Sequence, residues 1–178
     1  MWNWRPKMRH GISLLRTTKT GYTFANWTAD VDVKVGEETI DAGETISAGA
    51  TLLNISSDIT LTANWSLVDY NVTYSTPSNG DYTIKVGDGS ATSATKTANY
   101  NNTITLAATP SSGYIFDHWT VTKTIGGDAV SVSNANVSPA TFTMPAEAVT
   151  VVATFKTTPN IYYYKDATHY SAGTYMPL

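Results

Sequence analysis

The sequence predicts a β-rich fold, all-β or α+β, and three observations support that fold class. Charged residues make up only 14% of the chain, so Thr, Ser and Asn supply most of its polarity. Threonine is β-branched, which favours strands and disfavours helices. Apolar and polar residues alternate in many short segments, which is the period of a strand with one buried face. Several of these segments also recur along the chain, which predicts two tandem small units.

The recurrence involves three segments in the same order. The offset is 92 residues for the first two segments and 90 residues for the third. The matched segments are residues 12–14 and 104–106, 21–28 and 113–120, and 58–65 and 148–155. Three matches at a nearly constant offset predict an internal tandem repeat.

Each recurring segment alternates with a period of two and is predicted to be a strand. The strand at 149–155 also carries apolar residues on its outer face, which predicts a central position in its sheet. Segment 141–144 predicts a short strand that stops before Pro145. Segment 91–100 is the only stretch with a weak helical tendency.

A further pair of strands is predicted at the start of the second unit. Residues 70–74 and 82–86 both alternate, and the turn residues 77–80 between them include Asn-Gly. Asn-Gly favours the positive φ angles of tight turns. The pattern therefore predicts a β-hairpin over about 70–86.

The first unit has no counterpart of that hairpin. We therefore divide the chain into a truncated unit at 1–66, a complete unit at 67–156, and a linker with the start of a further segment at 157–178. The first unit is expected to lack its opening strands, to be less stable, and to have an unpaired strand edge. Either a longer gene product or a misassigned start explains this organisation.

Composition excludes several classes of site. The absence of cysteine excludes disulfides, thiolate zinc sites and a cysteine nucleophile. A net charge of −3 argues against nucleic-acid binding. No apolar run reaches the length of a membrane span, and the N-terminus does not read as a signal peptide.

The repeated segments resemble a known family. Gly21–Trp27, followed by Ile59–Trp65, is similar to the Listeria–Bacteroides repeat, also called the internalin-type B repeat. The second unit resembles the divergent form of that repeat, because Phe142-Thr143-Met144-Pro145 precedes its closing strand.

The resemblance covers roughly residues 11–66 and 70–156. It implies β-grasp-like units, a secreted or cell-surface location in bacteria, and service as repeated modules in adhesins and stalks. It implies no catalytic residue and no cofactor.

Aromatic residues fall into two groups. Those at equivalent repeat positions are predicted to form the core of each unit, since large aromatics contribute much of a small core; they are Phe24, Trp27, Trp65, Phe116, Trp119 and Phe155. No repeat position accounts for the others, which are candidate contacts for a ligand or partner, or parts of domains that this chain does not complete. They are Trp2, Trp4, Tyr162, Tyr163 and Tyr164.

Polar residues give no catalytic or metal-binding pattern. The three histidines have no partner at short spacing, and strand alternation predicts that Asp117 and His118 point to opposite faces. The acidic segment 30–44 lacks the spacing of an EF-hand, so we interpret it as a solvated loop and not a calcium site. We expect no catalytic residue, metal or cofactor.

These observations favour a non-catalytic structural or adhesive repeat module of a secreted or cell-surface bacterial protein. The alternative is a carbohydrate- or protein-binding module that uses exposed Trp and Tyr side chains. Expected partners are a host or cell-surface protein or a glycan, and the sequence leaves the oligomeric state open. An enzyme fragment is a third, less favoured class.

Overall fold

The computed structural model describes residues 11–55 and 57–159, and these residues form strands and connections without a helix. The β-rich prediction is therefore confirmed, in its all-β form. The chain divides into two compact units, Met1–Asp69 and Tyr70–Leu178, which are described separately.

The first unit contains seven short strands in two sheets. They are β1 (Ile12–Ser13), β2 (Tyr22–Ala29), β3 (Val33–Val35), β4 (Glu38–Ile40), β5 (Thr45–Ile46), β6 (Thr51–Leu53) and β7 (Leu61–Leu67). One sheet has the order β1-β6-β3-β4, and the other has the order β5-β2-β7. Strands β1 and β7 are therefore edge strands among the described residues.

The second unit is built on seven strands, again in two sheets. They are β8 (Asp69–Tyr74), β9 (Gly80–Val86), β10 (Lys96–Asn99), β11 (Thr103–Pro110), β12 (Tyr114–Lys123), β13 (Ala140–Thr143) and β14 (Val149–Thr157). One sheet has the order β10-β8-β14-β12, and the other has the order β13-β11-β9. The predicted central position of β14 is confirmed, as is the short strand β13. The stretch with a weak helical tendency contains β10 instead.

The predicted hairpin over 70–86 is wrong, although both of its strands exist. Strand β8 pairs in parallel with β14, whereas β9 pairs antiparallel with β11 in the other sheet. Asn79 does have a positive φ of 69°, so the predicted turn at this position is confirmed. Period-two alternation fixes which face of a strand is apolar but not which strand lies beside it. The chain uses this turn to cross between sheets.

The two units repeat their strand register as well as their sequence. Ile12 pairs with Leu52 in the first unit, and Ile104 pairs with Phe142 in the second. These pairs keep the offsets of 92 and 90 residues found in the sequence. Strand β6 is thus the structural counterpart of β13, a match that the sequences Thr-Leu-Leu and Thr-Phe-Thr did not reveal.

The cores of the two units differ in size. Fifteen residues form the buried cluster of the second unit, including Tyr82 and Ile84 from β9 and Val72 from β8. Among the residues described for the first unit, five form its cluster, namely Leu14, Ala29, Val33, Ile46 and Leu52. The opening strands of the second unit therefore supply part of its interior.

Candidate functional site

The pair of strands β12 and β14 contains a β-bulge at Asp117. Phe116 pairs with Phe155 and His118 pairs with Thr154, so Asp117 is the extra residue. A bulge interrupts the alternation of side chains along a strand. The Asp117 and His118 side chains consequently meet, with 2.8 Å between Oδ2 and Nδ1. The prediction that they point to opposite faces is wrong for this reason.

The carboxylate of Asp117 is paired with two basic groups. Its Oδ1 atom lies 2.7 Å from Lys156 Nζ, and its Oδ2 atom accepts the contact from His118. The hydrogen bond from Lys156, followed by that from His118, lowers the pKa of Asp117. Because both oxygens are engaged and the group stays ionised, this arrangement suits a structural ion pair and not a general base.

The same bulge occurs in the first unit without the charges. There Phe24 pairs with Trp65 and Asn26 pairs with Asn64, which leaves Ala25 as the extra residue. The Asn64 amide donates to Asn26 Oδ1 over 2.8 Å. Backbone geometry therefore repeats between the units, whereas the chemistry at the bulge does not.

An aromatic trio lies beside each bulge. In the second unit, Phe116 is 4.8 Å from Trp119 and 6.0 Å from Phe155, between ring centroids. In the first unit, Phe24 is 5.4 Å from Trp27 and 5.6 Å from Trp65.

The burial of the two trios differs. Trp119 and Phe155 are buried, with 3% and 9% of their surface exposed, and Phe116 packs partly buried against them. All three aromatics of the first unit are half-buried, and only Trp27 packs against the five-residue cluster. Each of these side chains contacts aromatic neighbours within its own unit.

A second polar cluster surrounds Asp81 at the start of β9. Tyr74 Oη and Tyr82 N donate to Asp81 Oδ1 over 2.5 and 2.6 Å, and Ser93 Oγ donates to Oδ2 over 2.9 Å. The bonds from Tyr74 and Ser93 lower the pKa of Asp81. Sequence analysis missed this cluster, because its members come from three separate segments.

Tyr82 connects the two sheets of the second unit. Its ring is fully buried and stacks on Tyr74 with 4.4 Å between centroids. Its hydroxyl donates to Val151 O over 2.7 Å and accepts from Ser75 N over 2.9 Å. Desolvation raises the pKa of Tyr82 to about 12, and desolvation together with the Asp81 bond raises that of Tyr74 to about 12.

An open groove runs along β13 in the second unit. It has a volume of about 370 Å³ and is lined by Thr103, Ser131, Val132, Ser133, Thr141, Phe142 and Thr143. Ser133 N donates to Thr141 O, so the segment before β13 already covers part of the strand. In the first unit, strand β3 pairs with β6 at the equivalent position. The hydroxyl-rich lining is suited to hydrogen bonding with a polar ligand.

The interpretation of the acidic segment 30–44 as a loop is wrong, because the segment contains the paired strands β3 and β4 with their flanking turns. Asp30 Oδ1 accepts from Thr60 N over 2.8 Å, and Asp32 Oδ1 accepts from Ala42 N over 2.9 Å. Within the described ranges, 11–55 and 57–159, no group of three His, Asp or Glu side chains is placed to hold a metal ion. The same ranges contain no helix long and apolar enough to cross a membrane.

The candidate contact residues Trp2, Trp4, Tyr162, Tyr163 and Tyr164 lie outside the described residues. His10 and His169 also lie outside them. Of the predicted site residues, the structure therefore places only the six repeat aromatics.

Two all-β units repeat one antiparallel strand pair with the same bulge, and the recurring side chains contact each other inside each unit. This is the organisation of a tandem repeat protein.

A family model described as the divergent InlB B-repeat domain matches residues 70–159. The chain belongs to this family, as the resemblance in its sequence predicted. The family is associated with bacterial surface or secreted proteins and is typically non-catalytic. No curated protein and no solved structure matches the chain.

Proposed function

We propose that this chain is a structural spacer of a bacterial cell-surface protein, made of B-repeat units that separate or present other domains. The observation behind the proposal is the repeated register of two antiparallel strand pairs, β2–β7 with Phe24 opposite Trp65 and β12–β14 with Phe116 opposite Phe155. What recurs is the packing of each unit, while polar chemistry such as the Asp117 ion pairs occurs once. A spacer needs repeated folding and no repeated ligand site.

The connection between consecutive units supports this role. Strand β7 ends at Leu67 and β8 begins at Asp69, so a single residue separates the last strand of one repeat from the first strand of the next. Added repeats would extend the chain in equal steps, because each step adds the same folded unit and the same short connection.

The test compares chains that carry one, two or three copies of residues 70–159 in tandem. Small-angle X-ray scattering should show a maximum dimension that grows by a constant increment with each copy. Irregular growth, or a dimension that stays constant, would contradict the spacer role. In the native bacterium, antibodies against residues 70–159 should label intact cells, and labelling only after lysis would contradict the surface location.

A binding module is the alternative, and the hydroxyl-lined groove beside β13 is the observation that favours it. The aromatic residues at 2, 4 and 162–164 would add stacking surfaces for sugar rings or a host protein. Titration of the chain with soluble glycans, followed by NMR, tests this role. Shifts confined to Ser131, Ser133 and Thr143 would support binding in the groove, and the absence of any shift on a broad glycan panel would exclude glycans as its ligand.

A further inference from the structure

Two asparagines of the second unit share one backbone conformation but have different successors. Asn79 and Asn101 are exposed and have φ angles of 69° and 68°. Gly80 follows the first, whereas Asn102 follows the second. The side-chain carbonyl carbon of an asparagine is open to attack by the backbone nitrogen of the next residue, and a glycine hinders this attack least because it has no Cβ atom. The two positions therefore form a matched pair for this chemistry.

The two successor amides differ in their hydrogen bonds. Asn79 faces β11, because Ser111 N donates to Asn79 O over 3.0 Å. Since alternate residues of a strand direct their backbone groups to opposite edges, the Gly80 amide points away from β11. It has no hydrogen-bond partner among residues 11–55 and 57–159. The Asn102 amide, by contrast, donates to Asn99 O over 3.0 Å.

The surroundings of Asn79 leave its side chain free to react. The residue ends the connection between β8, which stops at Tyr74, and β9, which begins at Gly80. The Asn79 side chain makes no hydrogen bond within the described part of the chain. One backbone bond, from Ser111 N, holds the residue against β11. Opening this single bond lets Asn79 turn towards the Gly80 nitrogen while the rest of the unit stays folded.

We propose that Asn79 is a site of spontaneous deamidation in the folded chain, with water as the only other reactant. The Gly80 nitrogen bonds to Asn79 Cγ and gives its proton to solvent, while Nδ2 takes up a proton and leaves as ammonia. Water then adds to either carbonyl of the resulting succinimide, and the ring C–N bond at that carbon breaks. The products are aspartate and isoaspartate. This modification goes beyond the spacer role and does not depend on it.

The isoaspartate product disturbs a tightly packed point of the second unit. It lengthens the main chain by one carbon atom directly before Gly80. The backbone there lies against an aromatic ring, since a Cβ atom on Gly80 would be 2.6 Å from Phe155 Cζ. Strand β9 continues to Tyr82 and Ile84, which are fully buried. The added atom therefore displaces the start of a core strand, and the second unit becomes less stable as isoaspartate accumulates.

The first test follows the folded full chain at pH 8.5 by peptide mapping and mass spectrometry, with aspartate and isoaspartate products separated. Asn79 should convert at least about tenfold faster than Asn101, because only its successor lacks a Cβ atom. A parallel sample in guanidinium chloride measures both rates in the unfolded chain. Equal rates for Asn79 and Asn101 in the folded chain, or conversion of Asn79 only in guanidinium chloride, would overturn the proposal.

The second test concerns the effect on stability. Asn79→Gly keeps the positive φ but has no side-chain amide, and Asn79→Asp adds the charge without lengthening the main chain. During incubation, the thermal midpoint of the parent chain should fall in step with isoaspartate, whereas that of Asn79→Gly should not change. Freshly prepared Asn79→Asp should unfold like the fresh parent. An isoaspartate fraction that unfolds like the fresh parent, or an equal decline in Asn79→Gly, would overturn the proposed effect.

Discussion

The first and second units share one antiparallel strand pair, β2–β7 and β12–β14, but differ in the strands described beside it. Both have the bulge and the aromatic trio, and the pairing of β1 with β6 in the first unit matches that of β11 with β13 in the second. In the second unit, β8 pairs with β14 and β9 pairs with β11, and these two strands contribute Val72, Tyr82 and Ile84 to the core. The two units therefore repeat the geometry of this strand pair, and in the second unit the opening strands also contribute to the interior.

The first prediction, which has the largest expected effect, compares the loss of the equivalent tryptophan in each unit. Trp119→Ala should lower the free energy of unfolding of the second unit by about 3–5 kcal/mol, the usual cost of removing a buried aromatic. Trp27→Ala should cost the first unit clearly less, because Trp27 is half-buried. Urea unfolding followed through the NMR amide signals of each unit measures both losses. Equal losses would show that the first unit is as well packed as the second.

The second prediction concerns unfolding at alkaline pH. It involves Tyr74 and Tyr82, which lie where the chain of the second unit passes from one sheet to the other. The pKa of Tyr82 is about 12 in the folded chain and about 10 in an unfolded chain. A raised pKa stabilises the fold below pH 10, and this contribution is lost as the pH rises from about 10 to 12. The loss for Tyr82 is at most about 3 kcal/mol, at about 1.4 kcal/mol per pKa unit, and solvent screening reduces it.

Hydrogen exchange is too fast to follow at such pH, so circular dichroism and tryptophan fluorescence are the measurements, with Trp119→Phe used to identify the contribution of Trp119 among the five tryptophans. The second unit should lose structure between pH 10 and 12, and Tyr82→Phe should reduce the alkaline part of that loss. A pH profile unchanged by Tyr82→Phe would show that other groups cause the transition.

The third prediction concerns the contact of β9 with the aromatic trio. A Cβ atom on Gly80 would lie 2.6 Å from Phe155 Cζ, which is too close for carbon atoms. Gly80→Ala should therefore destabilise the second unit by about 1–3 kcal/mol, the usual cost of overpacking. In a Phe155→Leu background the additional cost should disappear, and a double-mutant cycle measures the coupling. Additive losses would show that Gly80 is constrained by something other than the ring.

The fourth prediction, which has the smallest expected effect, replaces the bulge residue of the second unit with that of the first. Asp117→Ala gives the second unit the bulge residue that the first unit has in Ala25. Because the pKa of Asp117 is lowered by Lys156 and His118, its contribution to stability is present above pH 4 and is lost as the pH falls further. The thermal midpoint should drop slightly at pH 7 and not at pH 2.5. A drop of the same size at both values would mean that the ion pairs do not cause it.

Sequence analysis predicted the strands and the repeat because alternation and recurrence are local properties of the chain. It failed where the structure depends on which strands meet. The alternation of Tyr70, Val72 and Tyr74 correctly predicted a strand. The segment that pairs with this strand, Val149–Val151, lies far along the sequence.

The candidate sites show the same limit. The contact between Asp117 and His118 depends on one extra residue in a strand, which no sequence signal marked. The cluster around Asp81 gathers Tyr74, Tyr82 and Ser93 across two sheets and a connection. Such groupings follow from the topology and cannot be read from spacing alone.

The parallel pairing of β8 with β14 has a mechanical consequence. The first and last strands of the second unit lie side by side, one beginning at Asp69 and the other ending at Thr157. Tension applied to the two ends of this unit pulls these strands in opposite directions along their length. The hydrogen bonds between them are then loaded together in shear, and the survival time of the unit under force is governed by its unfolding rate. The hydrogen bonds between β8 and β14 therefore resist any tension that the chain transmits through this unit.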